Sequence, residues 1–568
     1  GMIAHATMVG SKSVVGWSPT APLAYYRRSF PWRDVAPSAN VPRTSMYTLS
    51  WATAFPACPD TSGIWMLLGT KSVLYKDSAL GPLHSSQPVA LLLHSATSAA
   101  PLLHGVHLAL ALAQPLAGRA KPLHMVMLTC GVLAYRGGVA PSHAAHGGAW
   151  GFARVLRLEH AALRSRSTDV SHGKSLVASR TMMLARAIET EAAWIGSSHL
   201  VARLRACTSS SASHAALAHG AQTVTGGLGG LGLRAAVLLV DRGTSHLLLG
   251  SRSGRVVRDG QGLEMQMQAI GAVAAIVAAD SVETADVTAL VSANPHPTGV
   301  LHAAGAGDSG LLIELDAQRL QWMHASKAMG AWYLQCAATA FPLETRVLFS
   351  SVGSGLGNVG QANYAAGNAC LDAHALSQRA GGTVACALQW PLIGGAGMGA
   401  AAFAALAERK VTIAGFASIS LEEYATCLGA QLAAGVGIAS SVQVAHHSDV
   451  RGLLQDLAEP SQPRFGELLA QTKHAGASVV SLAVACARSG SLAISLGDLG
   501  SSERRTAIET SVLRVVGELT GAPSASLTAE TPLMEAGVDS LAAGELASRL
   551  RSLTGVALAP TLLFDQPT

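Results

Sequence analysis

The stretch AQTVTGGLGGLGLRAAVLLVDRG, residues 221–243, restricts the fold more than any other segment of the chain. A short apolar strand pattern, Thr223 to Thr225, runs into a cluster of glycines and then into an apolar helix pattern. Gly226, Gly227, Gly229, Gly230 and Gly232 permit a tight turn and a close backbone approach to a pyrophosphate, and the helix start attracts anions through its dipole. Glycine makes up 59 of the 568 residues, so the loop alone would carry little weight. Its position between strand and helix makes it a dinucleotide fingerprint, with Leu228 and Leu231 inside the loop. Such a unit calls for a parallel, doubly wound sheet that binds ligands at the carboxyl edge of its strands.

SHLLLG ends at Ser251–Arg252, where a carboxylate would suit NAD and an arginine suits the extra 2′-phosphate of NADP. A solvated loop arginine is the bland alternative. AIVAAD and its sequel lead to Asp286–Val287, expected to flank the adenine, and TGVLHAAGAG brings Ala303, Ala304 and Gly305 to the same edge. In RVLFSSVGSGLGNVGQANYAAGNACLDAHA, an apolar strand ends at Ser350–Ser351, and Tyr364 opens a helix that carries Asn368 one turn later. A hydroxyl at a strand end beside a helical tyrosine is the layout a carbonyl reductase needs, because a phenol there can act as general acid. Lys327 sits in the helical pattern LQWMHASKAMGAWYLQCA. Taken alone it reads as a solvated lysine, and only its relation to Ser351, Tyr364 and Asn368 gives it a role.

A chain of 568 residues is too long for one core, so several domains are expected. Apolar residues at 49% and charged residues at 13% favour packed α/β structure over disorder. A net charge of +5 gives little support to nucleic-acid binding. The eight cysteines are scattered without a C-x-x-C pair, which suits reduced thiols in a cytoplasmic compartment. Residues 78–118 are long and uncharged but broken by Pro82, Pro88, Pro101 and Pro115, which argues for buried elements over a membrane span. No signal peptide is legible before Ser13, and Gly1 ahead of Met2 reads as a tag remnant.

Residues 1–43, rich in proline, aromatic and arginine residues, read as an interdomain linker. From 44 to 215, strands (MYTLSWA, IWMLLGT, PVALLLH, LHMVMLT) alternate with helices (HGVHLALALAQ, WGFARVLRLEHAAL), which implies a parallel sheet without a nucleotide loop. His143 and His146 lack a third ligand at sensible spacing, so no metal is expected. Residues 216–455 hold the glycine loop and its partners. Residues 456–502 read as a tether, with ASVVSLAVACA left undecided between helix and strand. From 503 to 568 a small helical unit begins, with Ile508, Val512, Val516 and Leu519 on one helix face.

Taken together, the glycine loop, HAAG, FSS and YAAGN in this order, with Lys327, Ser351 and Tyr364 at their mutual spacing, resemble a ketoreductase followed by an acyl carrier domain of a modular type I polyketide synthase. The resemblance covers nearly the whole chain. It implies two Rossmann-like subdomains, the first truncated and without a cofactor site, the second doubly wound with an NADPH site, and a C-terminal helical carrier bundle. It is a branch of the short-chain dehydrogenases in which lysine and asparagine have exchanged places: Tyr364-x-x-x-Asn368 stands where Tyr-x-x-x-Lys is usual.

The implied reaction is NADPH-dependent reduction of a β-ketoacyl thioester. Tyr364 would be the acid and Ser351 would bond the same oxygen, while Lys327 would hold the ribose and lower the Tyr364 pKa. Asn368 would position Lys327 or a proton-relay water. LMEAGVDSLAAGELASRLRSL resembles the carrier signature and implies 4′-phosphopantetheine on Ser540, which the residues alone read equally as an N-cap serine. Gly544 inside that helix, and a chain that stops where the last carrier helix would begin, depart from the pattern. So do Gly307–Asp308–Ser309 and Leu356, where the family marks hydroxyl stereochemistry, and Trp390–Pro391 before an expected substrate lid at 394–408. Ketosynthase and acyltransferase domains and a phosphopantetheinyl transferase are the implied partners, and the chain reads as a portion of a larger assembly. A fatty acid synthase segment and a silent scaffold that docks the carrier remain alternatives.

Overall fold

The computed structural model describes residues 44–54, 66–69, 89–93, 100–117, 124–133, 144–171, 189–207, 220–256, 263–394 except 295, 418–434, 442–446, 450–474 except 458, 500–520 and parts of 527–550. Its first half contains β1 (Ser45–Thr53), β2 (Met66–Gly69), β3 (Val89–Leu93), α1 (His104–Ala117), β4 (Met125–Cys130), α2 (Gly148–Glu159), β5 (Arg166–Val170), β6 (Glu191–Ile195) and β7 (Ser198–Ala206). The second half begins with β8 (Ala221–Thr225), α3 (Gly230–Asp241), β9 (His246–Ser251), α4 (Leu263–Ile270), β10 (Ala274–Ala278), α5 (Thr284–Ser292) and β11 (Pro297–His302). It continues through α6 (Ala317–His324), α7 (Gly330–Ala337), β12 (Thr345–Ser351), α8 (Val352–Leu356), α9 (Ala362–Ala380) and β13 (Cys386–Trp390). β14 (Leu392–Ile393), β15 (Ser418–Ile419), α10 (Leu421–Ala434), β16 (Val442–His446), α11 (Val450–Asp456), α12 (Gly466–His474) and α13 (Ser501–Thr520) complete the elements used below.

Fourteen of the described strands form one sheet, ordered β10-β9-β8-β11-β12-β13-β16-β1-β7-β6-β5-β4-β3-β2. From β10 to β16 all pairings are parallel. The strand order reverses between β8 and β11, which creates the crevice where such sheets bind ligands. The sheet from β6 to β2 is also parallel but runs in simple sequence order, with no reversal. β1 joins the halves: Tyr47 pairs antiparallel with Val444 on one side and Ala206 on the other.

A core of Val224, Leu233, Leu249, Leu301, Val347, Leu388 and Tyr424 fills one face of the second half, supported by buried aliphatic runs in each strand. In the first half, Leu91, Met127, Phe152 and Leu156 pack between sheet and helices. α2 lies flat on α9 because its contact positions are glycines. A methyl group at Gly151 would overlap the carbonyl of Ala365, and one at Gly147 would overlap Ala373. The helix expected around Lys327 is interrupted by a π turn, Ala325–Met329. On α13, Val516 and Leu519 are buried with Val538, Leu546 and Leu550, whereas Ile508, expected on the same face, is 40% exposed. Packing on that helix starts at Val512, so its first turns have no apolar cover among the described residues. Residues 475–499, the expected lid beyond Gly394, His143, Asp539, Ser540 and Gly544 lie outside the described residues.

Candidate active site

The glycine loop folds as its composition requires. Gly226 has φ +69, and a Cβ there would lie 2.5 Å from the amide nitrogen of Ala304. Gly229 caps α3 in extended conformation, and a Cβ on Gly232 would overlap the carbonyl of Gly226. Gly227 and Gly230 are buried in the same turn. Leu228 is fully buried in the core, and the Leu231 carbonyl accepts from the Tyr424 hydroxyl at 2.8 Å. Ala303, Ala304 and Gly305 continue from β11 at the same edge, where the Ala303 amide donates to Thr225. At the end of β9, Ser251 accepts from the Gly254 amide at 3.1 Å, and Arg252 is exposed beside it. The glycine loop, the end of β9 with Arg252 and the segment after β11 thus lie at the carboxyl edge of the sheet.

One expected pair is elsewhere. Asp286 and Val287 lie within α5, not at a strand end. Val287 is buried among Val291, Val300 and Leu334, and the Asp286 carboxylate accepts from the Asp280 amide at 2.9 Å. Asp280 lies two residues beyond the end of β10, at the carboxyl edge. Two aspartates six positions apart cannot be told apart until the end of the strand is known.

Three distant segments meet beside the glycine loop. Ser351 ends β12 and caps α8, its Oγ accepting from the Gly353 amide at 3.2 Å. Tyr364 is half-buried in the first turn of α9, with hydrogen bonds to the Ser351 and Asn368 side chains. Lys327, in the π turn, points its Nζ to within 5.7 Å of the Tyr364 ring centre and donates to the Phe349 carbonyl at 3.1 Å. A Cβ at Gly305 would press on the far end of the Lys327 side chain, which would have to shift. Asn368 donates from Nδ2 to the Tyr364 carbonyl at 2.9 Å, so it braces the tyrosine and makes no bond to Lys327.

The electrostatics differ from expectation. Burial pushes the Tyr364 phenol above its usual range, opposed by the Ser351 and Asn368 hydrogen bonds. Lys327 is itself desolvated and held at about 8, with Asp372 the opposing influence. This corrects the expectation of a tyrosine lowered by a nearby ammonium.

Several residues of the site escaped the sequence reading. His302 on β11 is fully buried. Its Nε2 faces the Lys327 carbonyl at 3.2 Å, which can only accept, so Nδ1 accepts from the Thr225 hydroxyl at 2.8 Å. Burial and Lys327 hold this ring neutral, with a pKa of about 3. The π turn that carries the lysine is therefore tied to the strand of the glycine loop. Asp372, two turns below Tyr364 on α9, accepts from Ser354 and Gln389, each at 2.7 Å, and burial raises its pKa.

The turn after Ser351 is clamped from outside the second subdomain. Arg154 of α2 donates to the Ser354 carbonyl at 2.7 Å, and Arg464 donates to Gly355 and Leu356 at 2.7 and 2.9 Å. Both arginines meet the buried Glu191 of β6, with Arg157 as a third partner. Leu356, at the stereochemical marker position, packs into the core with Tyr47, Val444 and Leu453. Asp308, at the other marker position, is bonded by Arg319 at 2.8 and 2.9 Å and by Asn363 at 2.5 Å, next to Tyr364. His146 is buried in a short turn, and no group of metal-ligating side chains occurs among the described residues.

The KR domain family model matches residues 220–395, and the phosphopantetheine attachment site model matches residues 510–568. The chain is 37% identical over 351 residues to the spectinabilin polyketide synthase system protein NorB of Streptomyces orinoci, covering 61% of this chain and 16% of that protein. It is 33% identical to the mycoketide-CoA synthase of Mycobacterium tuberculosis, covering 62% of this chain and 8% of that one. The chain therefore spans a small part of the length of these relatives. Among solved structures, the first-module ketoreductase of phoslactomycin biosynthesis from Streptomyces sp. HK803 aligns with TM-score 0.61 and 26% identity, over 75% of this chain and 99% of that one. A-type ketoreductases from a modular polyketide synthase align with TM-score 0.62 and 25% identity, over 74% and 98%. The chain carries a KR domain followed by a phosphopantetheine attachment domain, and the relatives it resembles are polyketide synthases.

Proposed function

We propose that the protein reduces a β-ketoacyl thioester, presented on the phosphopantetheine arm of its own carrier domain, to the β-hydroxyacyl thioester. Bound in the glycine cradle, NADPH would supply the hydride. The single observation that carries the reading is the convergence of Tyr364, Ser351 and Lys327 beside that cradle. Tyr364 hands its phenolic proton to the oxygen of the reduced carbonyl, a role general acids fill for roughly a hundred- to ten-thousandfold in rate. Ser351 orients the same oxygen and Asn368 holds the tyrosine. Lys327 reaches the nicotinamide ribose and keeps a positive charge near the phenol. Arg252 favours the 2′-phosphate of NADPH over NADH, and the Gly226–Leu231 turn takes the pyrophosphate.

The arm is attached at Ser540 by a phosphopantetheinyl transferase, and ketosynthase and acyltransferase domains supply the acyl chain. The domain limits are 1–43, 44–215, 216–455, 456–502 and 503–568, and the location is the cytoplasm. No helix of the described residues is long and apolar enough to cross a membrane. The test is incubation of the protein with NADPH or NADH and a β-ketoacyl diketide thioester, with chiral analysis of the alcohol. Intact mass after treatment with a phosphopantetheinyl transferase and coenzyme A reads Ser540. NADPH-dependent alcohol and a modified Ser540 are the expected results. Cofactor binding without turnover would mark a silent scaffold instead.

A further inference from the structure

Glu159 is the last residue of α2 in the first subdomain, and two local arguments oppose a carboxylate there. It sits at a helix C-terminus, where the dipole disfavours negative charge. It is also fully buried, where an anion loses its hydration. Burial raises its pKa to about 7, with Glu314 adding to the effect and the amides of Leu312 and Gly360 opposing it.

Its partners explain the placement. Oε2 accepts from the Leu312 amide at 2.7 Å and Oε1 from the Gly360 amide at 2.8 Å. Leu312 follows the β11 loop, which carries Gly305 against Lys327 and Asp308 against Asn363. Gly360, at φ +75, precedes Tyr364 in the turn that enters α9. The two loops touch directly through the Gly310 amide and the Gly360 carbonyl at 2.8 Å. One carboxylate, delivered from another subdomain, thus holds both loops beside Tyr364 in register.

We propose that Glu159 is a positioning residue through which the first subdomain fixes the substrate-side wall of the reductase site, and so governs how the ketone is oriented. The proposal rests on the ketoreductase reading above, and the experiment separates the two. Glu159→Gln keeps the shape but places an amide NH2 against one of the two N–H donors. Gly360→Ala disturbs the other end of the clip at a left-handed position without burying a new polar group. Both full-length variants are assayed with NADPH and a racemic 2-methyl-3-ketoacyl thioester for KM, kcat and product diastereomer ratio. NADPH affinity by fluorescence and near-UV circular dichroism are measured in parallel.

The expected result is a KM raised roughly tenfold and a degraded diastereomer ratio, with NADPH affinity within about twofold of the parent and tertiary signal retained. A folded Glu159→Gln protein with parental KM and diastereomer ratio would overturn the proposal. So would parallel loss of NADPH affinity, which would indicate general loosening. If Glu159→Gln does not fold, Gly360→Ala decides by the same criteria. Absence of turnover in the parent would count against the reductase reading itself.

Discussion

Lys327 is 3% exposed, and desolvation brings its pKa from 10.5 to about 8, against the opposing field of Asp372. A base whose folded value lies below its unfolded one costs the folded state while it stays charged. The cost is full below about pH 8 and fades as pH rises from there to 10.5. The shift corresponds to about 3 kcal/mol, less roughly 1 kcal/mol returned by the bond to Phe349. Lys327→Met should therefore raise the urea midpoint at pH 7 by the equivalent of about 2 kcal/mol while abolishing reduction. An unchanged or lower midpoint at pH 7 would contradict this balance. Tyr364→Phe, which removes only the proton donor, should lose most activity and keep NADPH affinity, read by fluorescence titration.

Ser351 and Tyr364 were legible because a strand end and a helix start mark them, whereas Lys327 and Asn368 lie inside helical segments and were named through the family resemblance. Asp280, His302, Asp372 and Glu159 were not legible, because their partners are set by tertiary contacts. Asp286 was misplaced for a related reason: the end of β10 carries no residue that signals it.

At the scale of elements, the contact between α2 and α9 supports the helix that carries Tyr364, Asn368 and Asp372. Gly147, Gly148 and Gly151 let the two backbones approach until only glycine fits. Gly151→Ala would push a methyl into the Ala365 carbonyl, one residue beyond Tyr364. Overpacking of this kind typically costs about 1–3 kcal/mol. Because the displaced backbone adjoins the acid, kcat should fall more than NADPH affinity, as read by steady-state kinetics beside a urea melt. Parental kcat with reduced stability would separate the packing from the chemistry. The π turn at Lys327 belongs to this scale too. A regular helical period was legible there, but the extra residue that turns the lysine inward follows from its packing against β11 and α9.

Across the molecule, burial holds several histidines neutral: His302 at about 3, and His324 and His374 at about 4. Their folded values lie below 6.5, so between pH 6.5 and 4 the unfolded chain takes up protons that the folded chain refuses, and stability falls with pH. Glu159 works the other way between about 7 and 4.5, because its raised value lets the folded chain hold the proton, and Asp372 adds to it. The net is roughly one to two protons, or about 1–3 kcal/mol lost per pH unit near pH 5. Urea melts at pH 7, 6 and 5 check this, and constant stability across them would exclude it. The Glu191 cluster is another whole-molecule feature, because it ties β6, α2 and Arg464 to the turn after Ser351.

The sequence by itself determined the strand–glycine–helix unit and the parallel α/β character of both halves, because local periodicity and short-range spacing encode both. The tertiary structure alone decided that the strand order reverses between β8 and β11, that burial raises the Tyr364 pKa, and that residues of the first half clamp the loops of the second. Those outcomes depend on strand order, desolvation and contacts between residues far apart along the chain. None of these leaves a mark in any single stretch of sequence.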